Sequence, residues 1–141
     1  MTPDRLAALH AASFVMPRPW SAREFVDLLA SPAVFLLTDS ESFLLARVVA
    51  EEAELLTLAV APAQRRQGIG RRLVARFVTT ARSRGAARAF LEVSAENLSA
   101  TNLYKSVGFA ISGRRKAYFR SAEGRTVDAL VMTFNLQGSR V

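Results

Sequence analysis

The sequence contains no cysteine and only one histidine, His10. The absence of cysteine excludes a disulfide scaffold, a thiolate zinc site and a cysteine nucleophile. A single histidine also argues against a histidine-rich metal site, so we expect no bound metal. Long hydrophobic runs are missing too: a membrane span needs about 18 apolar residues, and Asp4 followed by Arg5 does not open a signal peptide. These absences predict a soluble, cytoplasmic protein without a membrane segment.

The composition of the chain is sufficient for one hydrophobic core. Half of the 141 residues are hydrophobic, which excludes a wholly disordered chain. The length is too small for two domains of usual size. No repeat, low-complexity stretch or linker divides the sequence. We therefore expect residues 1–141 to form a single domain.

Charge is distributed unevenly along the chain. Residues 1–64 carry four arginines against eight acidic residues, a net charge of −4, whereas residues 65–125 carry fourteen basic residues against three glutamates, a net charge of +11. Such a basic half should attract an anion, either nucleic acid or a polyphosphate cofactor. A general preference for arginine that serves solubility is the alternative explanation.

Hydrophobic periodicity predicts an alternation of helices and strands. Helices are expected where apolar residues recur at helical spacing, over residues 6–14, 22–30, 70–84 and 97–107. Strands are expected where short apolar runs lie between turn residues, over residues 34–37, 43–49, 55–60, 89–93, 109–119 and 126–136. The strand–helix–strand unit over residues 55–93 implies a right-handed parallel crossover. The sequence therefore predicts an α/β domain with a mixed sheet.

Three local signals sharpen the predicted helix ends. The first helix should stop at the proline-containing segment 16–19. Ser21 can cap the second helix and form a capping box with Glu24. Gly85 should cap the end of the third helix.

A glycine-containing loop, Arg65-Arg66-Gln67-Gly68-Ile69-Gly70, lies between a predicted buried strand and a predicted helix. Glycines allow the backbone to approach a ligand closely, and the first helical N–H groups and the helix dipole attract an anion. Four arginines at positions 65, 66, 71 and 72 add positive charge. The loop is neither a Walker A motif nor a dinucleotide fingerprint. It predicts a pyrophosphate site, with a simple tight turn as the alternative.

This loop resembles the acetyl-CoA motif of the GNAT N-acetyltransferases, Gln/Arg-x-x-Gly-x-Gly/Ala. The segments Leu91–Asn97 and Leu103–Phe109 follow at the family's spacing, so the resemblance extends over about residues 54–134. It implies the GNAT fold, a mixed, mostly antiparallel sheet with a splayed parallel strand pair and about four helices. The family's first strand has almost no counterpart, because this sequence begins at the first helix.

Other segments are similar to the RimI subfamily, namely Pro19-Trp20-Ser21, Ala95-x-Asn97 and Gly124-Arg125 with Asp128-Ala129. Members of that subfamily acetylate the N-terminal amine of a small-subunit ribosomal protein. The segment Lys116–Phe119 departs from the subfamily's Asn-Tyr-Tyr-Pro near the peptide-binding loop. The resemblance implies an acetyl-CoA-dependent N-acetyltransferase whose acceptor amine attacks directly in a ternary complex.

Two residues are candidates for acid–base catalysis. Strand alternation sends Glu92 to the sheet face opposite Leu91, and the resemblance implies that it is the general base. An edge carboxylate paired with an arginine is the alternative. Tyr104 could be a core aromatic, but the resemblance implies that it protonates the departing thiolate.

The resemblance also implies which residues bind acetyl-CoA. They are Leu58, Ala59, Val60, Arg65, Arg66, Gln67, Gly68, Ile69, Gly70, Arg71, Asn97 and Tyr104. Asn97 can in addition cap the helix that follows it. Trp20 and Tyr118 are expected either to line the acceptor groove or to belong to the core, and His10 is expected to be structural.

Two other functions are compatible with the same sequence. A GNAT enzyme could act on a lysine side chain or a small-molecule amine. A module that binds RNA or the ribosome could use the basic half, but that half lacks interleaved aromatic residues, and its charge gathers at the predicted cofactor site. We therefore expect acetyl-CoA and a protein N-terminus as partners, without a membrane and without stable nucleic-acid binding.

Overall fold

The computed structural model describes residues 1–13, 19–120 and 123–137. Four helices are present in this part of the chain: α1 (Pro3–Ser13), α2 (Ala22–Leu29), α3 (Ile69–Ser83) and α4 (Leu98–Val107). The six strands are β1 (Val34–Asp39), β2 (Ser42–Val49), β3 (Glu52–Ala59), β4 (Arg88–Ser94), β5 (Ala110–Arg120) and β6 (Thr126–Asn135). Residues 16–18 of the predicted break after α1 lie outside the described residues. The same is true of residue 122 in the last predicted turn.

The strands form one sheet in the order β1-β2-β3-β4-β6-β5. The pair β3–β4 is parallel, and the other four pairs are antiparallel. Within the described residues, the β3–β4 ladder covers only Glu52–Glu54 against Arg88–Phe90, so the two strands separate beyond it. This confirms the mixed sheet with a splayed parallel pair.

A bulge in β3 contributes to this separation. Leu45 of β2 lies opposite Thr57, but the next residue, Ala46, lies opposite Leu55, so that Leu56 is an extra residue. A bulge bends its strand and increases the local twist. β3 therefore turns away from β4 at the point where their ladder ends.

The strand β3 begins three residues earlier than its hydrophobic pattern predicts. Its first residues include Glu52 and Glu54, whose charges interrupt the hydrophobic pattern from which the strand is predicted. In the structure Glu52 pairs with Arg88 at 2.5 Å, and Glu54 pairs with Arg47 at 2.8 Å. Ion pairs at the start of the sheet thus extend the strand beyond its apolar run.

Both faces of the sheet are covered by helices. On one face α3 and α4 contribute Leu73, Phe77 and Tyr104 to a core that includes Leu91 and Met132 of the sheet. On the other face α1 and α2 cover a smaller core, which contains Leu6, Phe25, Phe43, Leu45 and Ala59. The domain is therefore a three-layer arrangement, and apolar burial on both faces stabilises the central strands.

The predicted helix caps are confirmed. Ser21 Oγ accepts from the N–H of Glu24 at 3.2 Å, and the Glu24 carboxylate accepts from the N–H of Ser21 at 2.9 Å. At the other cap, Gly85 has a φ of +89°. The N–H of Ala86 there donates to the carbonyl of Ala81, which closes α3 and leads the chain into β4.

Candidate active site

A cavity of about 1080 Å³ opens where β3 and β4 separate. It runs between the loop before α3, the start of α4 and the exposed strand β5. The predicted site residues that line it are Trp20, Leu58, Val60, Arg65, Arg66, Gly68, Ile69, Gly70, Arg71, Glu92, Asn97, Tyr104 and Tyr118. The fold thus brings together most of the residues that the sequence singles out.

Two of the predicted site residues do not line the cavity. Ala59 is buried in the core under α1 and α2. The Gln67 carbonyl accepts a hydrogen bond from Arg72 Nη1 at 3.3 Å. Arg72 itself, expected near the phosphate site, turns instead to Asp39 of β1, with its Nε 3.1 Å from the carboxylate.

The loop before α3 has an unusual backbone. Arg66 has a φ of +66° and Gly68 has a φ of +77°. A non-glycine residue in this region costs about 1–2 kcal/mol, and such strain is concentrated at ligand-binding loops. Turns of this kind also gather backbone N–H groups into anion-binding concavities. The loop and the N-terminus of the 15-residue helix α3 therefore suit a phosphate group.

The two glycines of the loop serve different purposes. A Cβ on Gly70 would lie 3.2 Å from Leu103 Cδ2 and 3.5 Å from Val60 Cγ2. Gly70 therefore permits α3 to pack closely on β3 and α4, rather than leaving space for a ligand. A Cβ on Gly68 would meet only Arg72 Nη1, at 3.7 Å. Gly68 is required for its left-handed backbone, and its surroundings are open.

Arginine side chains line the cavity near this loop. Arg71 donates from Nη1 to Ser106 Oγ at 2.6 Å, which fixes its guanidinium beside α4. Arg65 donates from Nε to the carbonyl of Val60 at 3.4 Å. Arg66 lines the same wall. This end of the cavity is therefore positively charged.

The edge of β3 that faces the cavity continues beyond its ladder with β4. Among the described residues, Leu55–Ala59 have no ladder partner on that side. An uncovered strand edge presents N–H and C=O groups to an extended ligand. Asn97 lies across the cavity, where its Oδ1 caps α4 by accepting from the N–H of Ala100 at 3.0 Å.

Tyr104 lies on α4. Its side chain packs in the core and also forms part of the cavity wall. It is only 6% exposed, and its ring stands edge-to-face with Phe109 at 6.1 Å. Burial raises the pKa of the Tyr104 hydroxyl well above that of a free tyrosine. The hydroxyl therefore keeps its proton and can donate it.

Glu92 lies on the β4 face opposite the core residue Leu91, as strand alternation predicts. Its side chain is 19% exposed, and its Oε2 is 2.5 Å from Arg115 Nε. The Tyr118 hydroxyl donates a hydrogen bond to the same carboxylate, which raises the pKa of Tyr118. Glu92 thus lines the cavity and also forms the arginine pair that the sequence leaves as an alternative.

His10 is structural, as expected, yet it reaches the cavity. Its Nδ1 accepts from the N–H of Trp20 at 2.8 Å, so Nε2 carries the proton and donates to Thr57 Oγ1 at 2.9 Å. His10 therefore connects α1 to Trp20 and to the bulged part of β3. The sequence gives no signal for this network, because the three residues are far apart along the chain.

Other cavity residues were not predicted. They include Glu54, Thr57, Ser94, Ser99, Leu103 and Phe119. In the described part of the chain, no group of three or more histidine or acidic residues is arranged to hold a metal ion. The described helices also include none that is long and apolar enough to cross a membrane.

Comparison with known proteins identifies the family. The model of the acetyltransferase (GNAT) family matches residues 15–109. The chain belongs to this family. The GNAT fold and the acetyltransferase class of enzyme expected from the sequence are thereby confirmed.

Several characterised GNAT proteins are similar to this chain over most of its length. The [Ribosomal protein bS18]-alanine N-acetyltransferase of Escherichia coli (strain K12) is 36% identical over 93% of this chain and 90% of its own. The N-alpha-acetyltransferase RimI of Mycobacterium tuberculosis is 36% identical over 83% of this chain and 78% of its own. The crystal structure of the Escherichia coli ribosomal-protein-S18-alanine N-acetyltransferase superposes with a TM-score of 0.83, at 28% identity, over 95% of this chain and 87% of the other.

Proposed function

We propose that this protein transfers the acetyl group of acetyl-CoA to the N-terminal α-amine of a ribosomal protein. The observation that carries the proposal is one continuous cavity that joins the basic loop before α3 to Glu92 and Tyr104. The similarity to the bS18-alanine enzyme of Escherichia coli supports the choice of acceptor. Ribosomal proteins are synthesised in the cytoplasm, so the activity belongs there. Residues 1–141 act in this proposal as one domain.

The residues around the cavity fit acetyl-CoA. The left-handed loop, the start of α3 and the guanidinium groups of Arg65, Arg66 and Arg71 suit the pyrophosphate. The uncovered edge of β3 at Leu58, the neighbouring Val60 and Asn97 line the part of the cavity that we propose for the extended arm. The thioester supplies the activated acetyl group, and the protein's task is to position the acceptor amine against it.

Glu92 and Tyr104 divide the proton transfers between them. The neutral amine attacks the thioester carbonyl, and Glu92 accepts the proton that the amine loses, directly or through water. Tyr104, held neutral by burial, donates its proton to the leaving sulfur. An α-amine has a pKa of about 7.7–8.0, against about 10.4 for lysine. Deprotonation of an N-terminus therefore needs less assistance, which favours an N-terminal acceptor.

The proposal is tested by incubating the purified protein with acetyl-CoA and a set of synthetic peptides. Each peptide carries one free N-terminus and one internal lysine, and mass spectrometry locates the added acetyl group. We expect acetylation of the N-terminal amine and none of a matched peptide with a blocked N-terminus. Acetylation of lysine alone, or of small amines alone, would contradict the proposed acceptor.

The partners in this proposal are acetyl-CoA and a protein N-terminus, and stable binding of nucleic acid is not expected. Of the fourteen basic residues in 65–125, Arg65, Arg66 and Arg71 line the cavity, where they suit a phosphate-bearing substrate. Calorimetric titration with acetyl-CoA and with RNA, each at two salt concentrations, tests this point. Tight RNA binding that persists at the higher salt concentration would contradict it.

A further inference from the structure

The exposed strand β5 contains a two-residue bulge next to the cavity. Arg115 lies opposite Ala129 of β6 and Phe119 lies opposite Val127, so three residues of β5 face the single residue Asp128. Ala117, in the middle of the bulge, has a φ of +50°. A non-glycine residue with a positive φ is strained and persists only where its surroundings hold it.

Asp128 provides the hydrogen bonds that hold this bulge. Its Oδ1 accepts from the N–H of Ala117 at 2.8 Å, and its Oδ2 accepts from Arg114 Nε at 2.8 Å. Both bonds favour the ionised carboxylate, so the pKa of Asp128 lies below its ordinary value, chiefly through the Ala117 N–H. The clamp is therefore complete at neutral pH.

The bulge changes which side chains of β5 reach the cavity. In a regular strand, residues three positions apart, such as Arg115 and Tyr118, would point to opposite faces. In this structure both contact the same carboxylate: Arg115 Nε is 2.5 Å from Glu92 Oε2, and the Tyr118 hydroxyl is hydrogen-bonded to Glu92. Arg115 is still paired with Ala129, whereas Tyr118 lies inside the bulge beside the left-handed Ala117, so the regular alternation does not apply to it and its hydroxyl can reach Glu92.

We infer that Asp128 is a positioning residue for catalysis, which locks the β5 bulge so that Arg115 and Tyr118 orient the carboxylate of Glu92. Asp128 acts on the reaction only through the bulge. The inference rests on the proposed role of Glu92 as the base. It assigns a purpose to the Asp128-Ala129 segment, which the cofactor and the acid–base pair leave unexplained.

Removal of the clamp should affect turnover and spare the donor site. For Asp128→Ala we expect kcat to fall about 10- to 100-fold, the range that follows from a misplaced catalytic group. The KM for acetyl-CoA should stay within about twofold, because the loop before α3 lies at the other end of the cavity. Asp128→Asn keeps an oxygen that can accept from the Ala117 N–H, so it should recover part of the rate.

The matched control is Glu52→Ala. Glu52 forms a comparable exposed ion pair, with Arg88 at 2.5 Å, but it lies at the start of β3, away from the bulge. Its removal should leave kcat unchanged. Thermal unfolding of each variant verifies that the protein is folded, and Asp128→Ser replaces the alanine variant if the latter does not fold.

A double-mutant cycle with Glu92→Gln decides whether Asp128 acts through Glu92. We expect Asp128→Ala to lower kcat strongly in the parent and by less than about twofold in the Glu92→Gln background. Equal losses of kcat in both backgrounds would overturn the inference. So would an Asp128→Ala variant with the parent's kcat, if Glu92→Gln is itself impaired. Either result would leave the proposed function intact. Full activity of Glu92→Gln alone would instead remove Glu92 as the base, and with it this inference, while the proposed acetyl transfer would still be decided by the peptide experiment.

Discussion

Two ionisable side chains at the centre of the cavity occupy contrasting surroundings. Tyr104 is enclosed by apolar side chains, which favour its neutral phenol. The Glu92 carboxylate is held by the cationic Arg115 and by the hydroxyl of Tyr118. In the proposed function Tyr104 acts as the acid and Glu92 as the base. Each residue should therefore leave its own mark on the dependence of rate on pH.

Tyr104→Phe keeps the ring packing but removes the hydroxyl that we propose as the proton donor. We expect kcat to fall by about 10²–10⁴, the usual contribution of a positioned acid, and to stay low at every pH. Because burial raises the pKa of Tyr104, the parent should retain its maximal rate through about pH 10, where a free tyrosine loses its proton. Measurement of kcat from pH 6 to pH 10.5 checks both statements. An alkaline fall near pH 9 that is absent from Tyr104→Phe would contradict them.

Glu92→Gln preserves size and polarity but cannot take up the amine's proton. We expect kcat to fall by about 10²–10⁴ near pH 7. The rate should recover partly as the pH rises, because more of the acceptor amine is then neutral without help. Steady-state kinetics at saturating acetyl-CoA test this contrast with Tyr104→Phe. A variant with the parent's kcat at pH 7 would return Glu92 to a purely structural role.

At the level of elements, the helix α3 carries left-handed glycines at both of its ends. Gly68 precedes it with a φ of +77°, and Gly85 follows it with a φ of +89°. Neither has a backbone or core atom close to the position of a new Cβ. The two positions therefore share the same backbone constraint, but only Gly68 lines the cavity.

This symmetry gives a matched pair of variants. Gly68→Val should raise the dissociation constant of acetyl-CoA by at least about tenfold, because the branched side chain occupies the space where the phosphate approaches the loop. Gly85→Val should cost about the same 1–2 kcal/mol of stability from the left-handed backbone, yet bind acetyl-CoA as the parent does. Calorimetry and thermal unfolding measure the two effects. Equal affinities for the two variants would show that the loop does not hold the phosphates.

At the level of the whole molecule, the acidic first part of the chain and the basic second part meet through ion pairs. Asp39 pairs with Arg72, and Glu52 pairs with Arg88. These pairs neutralise part of the basic charge on surfaces away from the cavity. The proposed site relies instead on the arginines that line the cavity, Arg65, Arg66 and Arg71.

Neutralisation of charge should distinguish these two groups of arginines. Arg66→Gln and Arg71→Gln should each raise the KM for acetyl-CoA and weaken its dependence on salt. Arg72→Gln, on the same helix but paired with Asp39 and absent from the cavity lining, should have little effect. Initial rates at two ionic strengths provide the measurement. Equal effects from Arg71 and Arg72 would mean that the field of the whole surface, rather than the cavity, attracts the substrate.

The sequence predicts those features of the molecule that depend on neighbours along the chain. Helical spacing in α3, the Ser21 capping box and the glycine at the end of α3 all follow from local patterns. The hydrogen bond between Tyr118 and Glu92 does not, because Tyr118 lies in a bulge whose residues look like any other part of an exposed strand. The contact of His10 with Thr57 is equally invisible, since 47 positions separate the two residues.

The short β3–β4 ladder has a consequence for motion. Within the described residues, three ladder pairs connect the half-sheet β1–β3 to the half-sheet β4–β6–β5. Separating the two halves therefore breaks fewer hydrogen bonds than separating strands within either half. The β3–β4 seam between the halves is thus the place where the sheet deforms most easily. A molecule of acetyl-CoA bound along β3 would stiffen the seam from inside. In the proposed reaction, release of CoA would remove those contacts and return the seam to its more flexible state.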